Sequence, residues 1–303
     1  MRILLAVSLA VMLAGCAMQQ AEGGKMKVVA SFYPVYDIAK AVGGDAVEAS
    51  SIVPAGVEPH EYEPTPRQVE DLSQADAYVI LGTDFAEFEH DLGNAVEGRV
   101  KVINAGEGVP LINVSEDGHG ETEDGGVEDD HGPTDPHIWL SPKNMIIMAK
   151  NVRDGLIEAD PSNAQAYRAN ADEYAGKLQV LDSEYRAGLA DCRKNAILVN
   201  HDAFGYLAHE YGFEQIAIAG LNPESEPTPQ ELAELIDEAR EHDIGYVFYE
   251  ELVDPRVAET IAGEVNATVL ELNPIEGTKN PNEDYFSIMR RNLANLRLAL
   301  ECS

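Results

Sequence analysis

Short β-branched apolar runs alternate with segments whose apolar positions recur every three or four residues. A period of two or a short buried run reads as strand, and a period near 3.6 as helix. The pattern predicts strands over 27–32, 49–53, 77–81 and 100–104, with helices over 36–42 and 68–74 between them. The first of these helices stops at Gly43 and Gly44. The alternation resumes late in the chain, with strands over 196–200, 215–219, 245–249 and 268–272 and helices over 203–211, 228–242, 256–265 and 282–300. Thr228, Pro229 and Glu231 come close to a capping box at the start of one helix.

Between the two halves, Tyr167, Tyr174, Leu178, Leu181, Tyr185 and Leu189 form one helical stripe. A helix over 161–189 would be a rod of roughly 43 Å at ~1.5 Å per residue. The fold class expected is α/β: two βα lobes with mostly parallel sheets joined by one long backbone helix. The tyrosines of the stripe read as packing residues.

The chain opens differently. Arg2 precedes an apolar run over 3–14 that is too short to span a bilayer comfortably and fits a signal peptide. It ends in Leu13-Ala14-Gly15-Cys16, which resembles a bacterial lipobox with Cys16 as the lipidated thiol. The division expected is a signal peptide, lipobox and tether over 1–25, an N-terminal lobe over 26–155, a linking helix over 156–190 and a C-terminal lobe over 191–303. Such a chain is exported and lipid-anchored, at the outer face of the cell membrane or in the periplasm. In that compartment the two remaining cysteines, Cys192 and Cys302, are candidates for a disulfide, with two buried free thiols as the alternative.

Charge narrows the function. Lys plus Arg number 21 against 54 Asp plus Glu, a formal charge of −33. That excludes a nucleic-acid binder, which needs a basic footprint, and a basic membrane-surface helix. It suits a cation-handling protein or one kept soluble in salt. Segment 116–130 is eight-fifteenths acidic with four glycines, so it cannot form a packed core. The acidic loop 116–131 carries His119 and His131, a candidate accessory metal collector or simply a solvated loop.

Of eight histidines, His90, His209 and His242 stand among charged residues and read as surface positions. His60, His137 and His201 differ. His60 lies in a proline-stiffened turn after a strand, His137 beside the only tryptophan, and His201 directly after the strand 196–200. Ligands of open α/β sheets bind at the carboxyl ends of strands. Three converging imidazoles would be a good donor set for Zn²⁺.

Gly56-Val-Glu-Pro-His60-Glu-Tyr-Glu-Pro-Thr-Pro66, Asp135-Pro-His137-Ile-Trp-Leu-Ser-Pro142 and Asn200-His201-Asp-Ala-Phe-Gly-Tyr206 resemble the three histidine segments of the cluster A-I zinc/manganese-binding lipoproteins of ABC importers. The resemblance runs from Ser31-Phe-Tyr-Pro34 to Asp284-Tyr-Phe-Ser-Ile-Met289 and implies a metal site between the lobes. It implies a solute-binding protein, not an enzyme, that delivers its ion to a membrane permease. A monomer is expected, and a second role in cell adhesion is open. The third histidine points to the zinc-uptake branch, because Mn²⁺ prefers oxygen donors. A manganese- or iron-binding member of the family and a zinc hydrolase are the alternatives.

Where many relatives carry a ligating Asp, this chain reads Leu272-Asn273-Pro274-Ile275. The fourth place is therefore expected to hold water or a carboxylate near His60, Glu58 or Glu61, in preference to Asn273. Glu250 and Glu251, just after the strand 245–249, are candidates for a place near the cleft, with helix-terminal or solvent-facing charge the preferred reading. Asp135 and Asp202 are candidate acceptors for imidazole N–H groups.

Overall fold

A computed structural model describes residues 24–83, 85–113, 134–225, 227–280 and 282–303. The signal segment with Cys16 and the acidic loop with His119 and His131 lie outside the described residues. Among the described residues no helix is long and apolar enough to cross a membrane.

The architecture is α/β, with two four-stranded parallel sheets. The first holds β1 (Met26–Ala30), β2 (Val47–Ser51), β3 (Ala77–Ile80) and β4 (Lys101–Asn104) in the order β2-β1-β3-β4. The second holds β5 (Ala196–His201), β6 (Glu214–Ala219), β7 (Tyr246–Tyr249) and β8 (Thr268–Glu271) in the order β6-β5-β7-β8. Every pairing is parallel. β3 and β5 are buried throughout, as strands covered on both faces must be.

Around the first sheet lie α1 (Tyr33–Gly43), α2 (Pro66–Leu72), α3 (Glu87–Val96) and α4 (Pro142–Ala159). α3 and α4 are additions to the elements expected from sequence. α4 is opened by Ser141, whose hydroxyl accepts the Asn144 N–H, and it buries Met145, Met148, Val152 and Leu156 on one stripe.

The rod expected over 161–189 is present, opening as a 3-10 turn, Pro161–Asn163, that runs directly into α5 (Ala164–Gly188). Asp160 holds its start: its carboxylate accepts from Asn163 Nδ2 at 2.6 Å and from the Tyr167 hydroxyl at 2.8 Å. α5 still spans about 37 Å at ~1.5 Å per residue. Its tyrosine stripe is buried. The hydroxyl of Tyr174 donates to Asp37 of α1, and that of Tyr185 to the Met289 carbonyl of α9 (Tyr285–Ala299). One helix thus grips both lobes with polar as well as apolar contacts.

The second sheet is flanked by α6 (Gly205–Tyr211), α7 (Pro229–Glu241) and α8 (Arg256–Val265). Thr228 and Glu231 form the capping box of α7. Cys192 and Cys302 are joined by a disulfide across 110 positions of sequence.

Candidate metal centre

Four segments deliver four side chains to the cleft between the sheets. His60 sits in the turn after β2, where its backbone N–H donates to the Glu58 carboxylate at 3.0 Å. His137 immediately precedes the 3-10 turn Ile138–Leu140 at the head of α4. Both its backbone N–H and its Nδ1 lie 2.8 Å from Asp135 Oδ1. His201 is the last residue of β5, and its Nδ1 lies 2.6 Å from Glu250 Oε1. Glu276 arrives from the loop after β8.

Glu276 Oε1 lies 3.3 Å from His60 Nε2, 3.4 Å from His137 Nε2 and 3.3 Å from His201 Nε2. The His137 and His201 Nε2 atoms are 3.3 Å apart. All four donor atoms fall within 4.8 Å of one another, and His137, His201 and Glu276 are buried. Zn²⁺ with bonds near 2.0–2.1 Å needs tetrahedral donors about 3.3 Å apart. Four of the six separations here match that edge. Carboxylates on Nδ1 of His137 and His201 leave both Nε2 atoms facing the cluster, the usual arrangement behind a metal-binding imidazole.

The charges are mutually dependent. Burial alone would raise the Glu276 carboxyl, but His201 beside it and hydrogen bonds from the three imidazoles hold it well below the usual range. Burial alone would depress His201, yet Glu250 and Glu276 lift it well above the ordinary histidine value. His137 is likewise raised, against its burial, by Asp135 and Glu276.

The structure brings His60, His137 and His201 together and adds Glu276, which the sequence reading did not consider. Asn273 stands outside the four donors. Its Oδ1 accepts the Ile275 N–H at 2.7 Å, its Nδ2 donates to Glu251, and Asn292 bonds its backbone on both sides. These bonds shape the turn that presents Glu276. Within it Ile275 is fully buried at φ 61°, a strained conformation for a β-branched residue. Trp139 ties the same turn down, its Nε1 donating to the Pro274 carbonyl at 2.7 Å.

The remaining candidates fall around the cluster. Glu58 Oε1 is 4.0 Å from His60 Nε2, and burial pushes its carboxyl up to about 7. Glu61 is turned away to accept from Asn222. Glu250 corrects the surface reading: it is buried against His201. Glu251 holds Asn273 and the Lys279 N–H. Asp135 does serve an imidazole, whereas Asp202 accepts from Gln215. His90 and His209 are exposed, and His242 follows α7 away from the cleft. The only signal that could have marked Glu276 is an acid three positions beyond Asn273 in the same loop.

The family described as "Zinc-uptake complex component A periplasmic" matches residues 28–299. The zinc-binding protein AdcA of Streptococcus pyogenes serotype M3 is 35% identical over 291 residues, 92% of this chain and 56% of that protein. The chain thus spans little more than half the length of that relative. The high-affinity zinc uptake system protein ZnuA of Bacillus subtilis is 36% identical over 287 residues, covering 92% of this chain and 89% of that one. Among solved structures, the Zn(II)-bound ZnuA-like domain of Streptococcus pneumoniae AdcA superposes with a TM-score of 0.77 at 33% identity, covering 92% and 100% of the two chains.

Proposed function

The chain belongs to the family of zinc-uptake component A, and from that premise we propose that it captures one Zn²⁺ outside the cytoplasm and hands it to the membrane permease of an ABC importer. His60, His137, His201 and Glu276 are the donors. The observation that carries this reading is the convergence of four buried or half-buried donor atoms within 4.8 Å, four of whose six separations are 3.3–3.4 Å, close to the edge of a tetrahedral zinc site. Three imidazoles and one carboxylate favour zinc over manganese, whose preferred donors are oxygen.

Four protein donors leave no open coordination position, whereas a zinc hydrolase keeps one for water. The arrangement therefore suits a carrier. Cys16 would hold the monomer to the membrane by its lipid, and His119 and His131 in the acidic segment would collect zinc for the cleft.

The test is a competitive titration of Zn²⁺ against Mn²⁺ on the metal-stripped chain, with and without residues 116–131. One tight zinc site that resists excess manganese is the expected result. A preference for manganese would overturn the donor argument. Loss of the site with the loop would move a ligand into that segment.

A further inference from the structure

His137 and His201 each have a carboxylate behind the ring, Asp135 and Glu250. His60 does not share this arrangement. Its Nε2 faces Glu276, and its ring lies against Phe85, centroids 4.5 Å apart. Phe85 is 5% exposed. It stacks on Phe32 at 4.5 Å and meets Trp139 edge-on at 5.0 Å. An aromatic wall thus restrains the His60 ring by packing, where the other two rings are held by hydrogen bonds to carboxylates.

Phe85 is carried by the connection between β3 and α3. That connection is held from behind by Glu89, the third residue of α3. Glu89 is 1% exposed, and its two oxygens accept the backbone N–H groups of Leu81 at 2.8 Å and Gly82 at 3.1 Å. Among the described residues no Lys or Arg forms an ion pair with it. A buried carboxylate is costly to keep, so its role is read from what it holds. What it holds is the turn at Gly82, with φ 78°, where an added Cβ would lie 2.1 Å from Asn104 Oδ1. This close approach fixes where the chain leaves β3, three positions before Phe85.

We propose that Glu89 is a positioning residue for the metal centre: by clamping the Leu81 and Gly82 amides it seats Phe85 against the His60 imidazole and so slows loss of the ion. The proposal rests on the reading that the four-donor cluster holds zinc. Glu89 touches no donor and acts only through Phe85. A glutamine in its place offers an oxygen to one amide and an N–H to the other, leaving one buried donor without an acceptor.

The experiment measures zinc dissociation into excess 4-(2-pyridylazo)resorcinol for wild type, Glu89→Gln, Phe85→Leu and the double variant. Emission of Trp139, the only tryptophan, is read on the same samples. Each single variant is expected to bind one zinc and release it about tenfold faster, the scale of a lost outer support. The double variant should release zinc no faster than Phe85→Leu, because the two residues act in series. Trp139 emission should shift in Glu89→Gln as Phe85 leaves its ring.

A lower melting temperature with an unchanged dissociation rate in Glu89→Gln would overturn the proposal, as would additive effects in the double variant. If Glu89→Gln does not fold, Glu89→Asp, whose shorter carboxylate reaches one amide, takes its place with the same criteria. A wild-type chain that binds no zinc would sink the site reading instead. The Trp139 comparison on ion-free protein would still decide whether Glu89 sets Phe85.

Discussion

Glu250 Oε1 lies 2.6 Å from His201 Nδ1, and this contact decides which nitrogen of the ring is offered to the cleft. A carboxylate there accepts a proton held on Nδ1, so Nε2 keeps its lone pair for an ion. Glu250→Ala is expected to weaken zinc binding by about 10–100-fold. Glu250→Gln, which still offers an oxygen to Nδ1, should fall at the mild end. Competition against a chelator of known affinity measures both, and an alanine variant with wild-type affinity would remove Glu250 from the site.

Protons and zinc should compete for the same atoms. His137 and His201 are raised in the ion-free protein, by carboxylates that outweigh their burial. A histidine raised on folding contributes stability that is full below its unfolded pKa of ~6.5 and is lost as pH rises through its folded value. Ion-free protein should therefore melt lower as pH climbs above that point, while zinc raises its melting temperature most at the alkaline end. Zinc affinity should fall as pH drops through the same window, because the imidazoles must shed protons to bind. Melting curves with and without zinc across pH 5.5–9 test this, and parallel curves would contradict it.

Asn273→Ala should loosen the turn that presents Glu276. It strips the acceptor from the buried Ile275 N–H, at a cost of about 1–3 kcal/mol. Zinc affinity should drop with stability, although Asn273 is not one of the four donors. Asn273→Asp keeps the acceptor but sets a carboxylate against Glu251, which now takes a bond from Nδ2 at 3.1 Å. That variant is also expected to bind zinc less well than wild type. Denaturant melts and chelator competition on the two variants check both effects.

Asp37 should give the lobe junction a pH dependence of its own. Burial raises its carboxyl to about 6, against the bond it accepts from Tyr174. A carboxyl raised on folding contributes stability below its unfolded value of ~3.9 that is lost as pH rises through the folded one. The wild-type urea midpoint should therefore fall between pH 4 and 7 more steeply than that of Asp37→Asn, which stays neutral. Equal slopes would dismiss Asp37 as the source.

How far the sequence could be read follows from where each signal resides. His60, His137 and His201 stand in short motifs at strand ends, so their local setting marks them. Glu276 has no such setting among 54 acidic residues. It reaches the cluster only through the left-handed Ile275 and the bonds of Asn273, a conformation that β-branched sequence argues against. Glu250 is hidden for a related reason, since only the packing of β7 beside β5 brings it to His201. The strand alternation and the tyrosine stripe of α5 are periodic and legible. α4 is periodic too, but it begins inside the His137 motif and is obscured by it, and α3 is short with Gly93 near its middle.

The first and last donors, His60 and Glu276, are 216 positions apart in the chain. An ion held by all four side chains therefore acts as a reversible staple across most of the polypeptide, one that exists only while the metal is supplied. Because the unfolded chain cannot assemble that grip, zinc at a thousand times its dissociation constant would add about 4 kcal/mol to stability. A chain without the ion is thus the one more open to proteases, and its survival time would become a readout of metal supply.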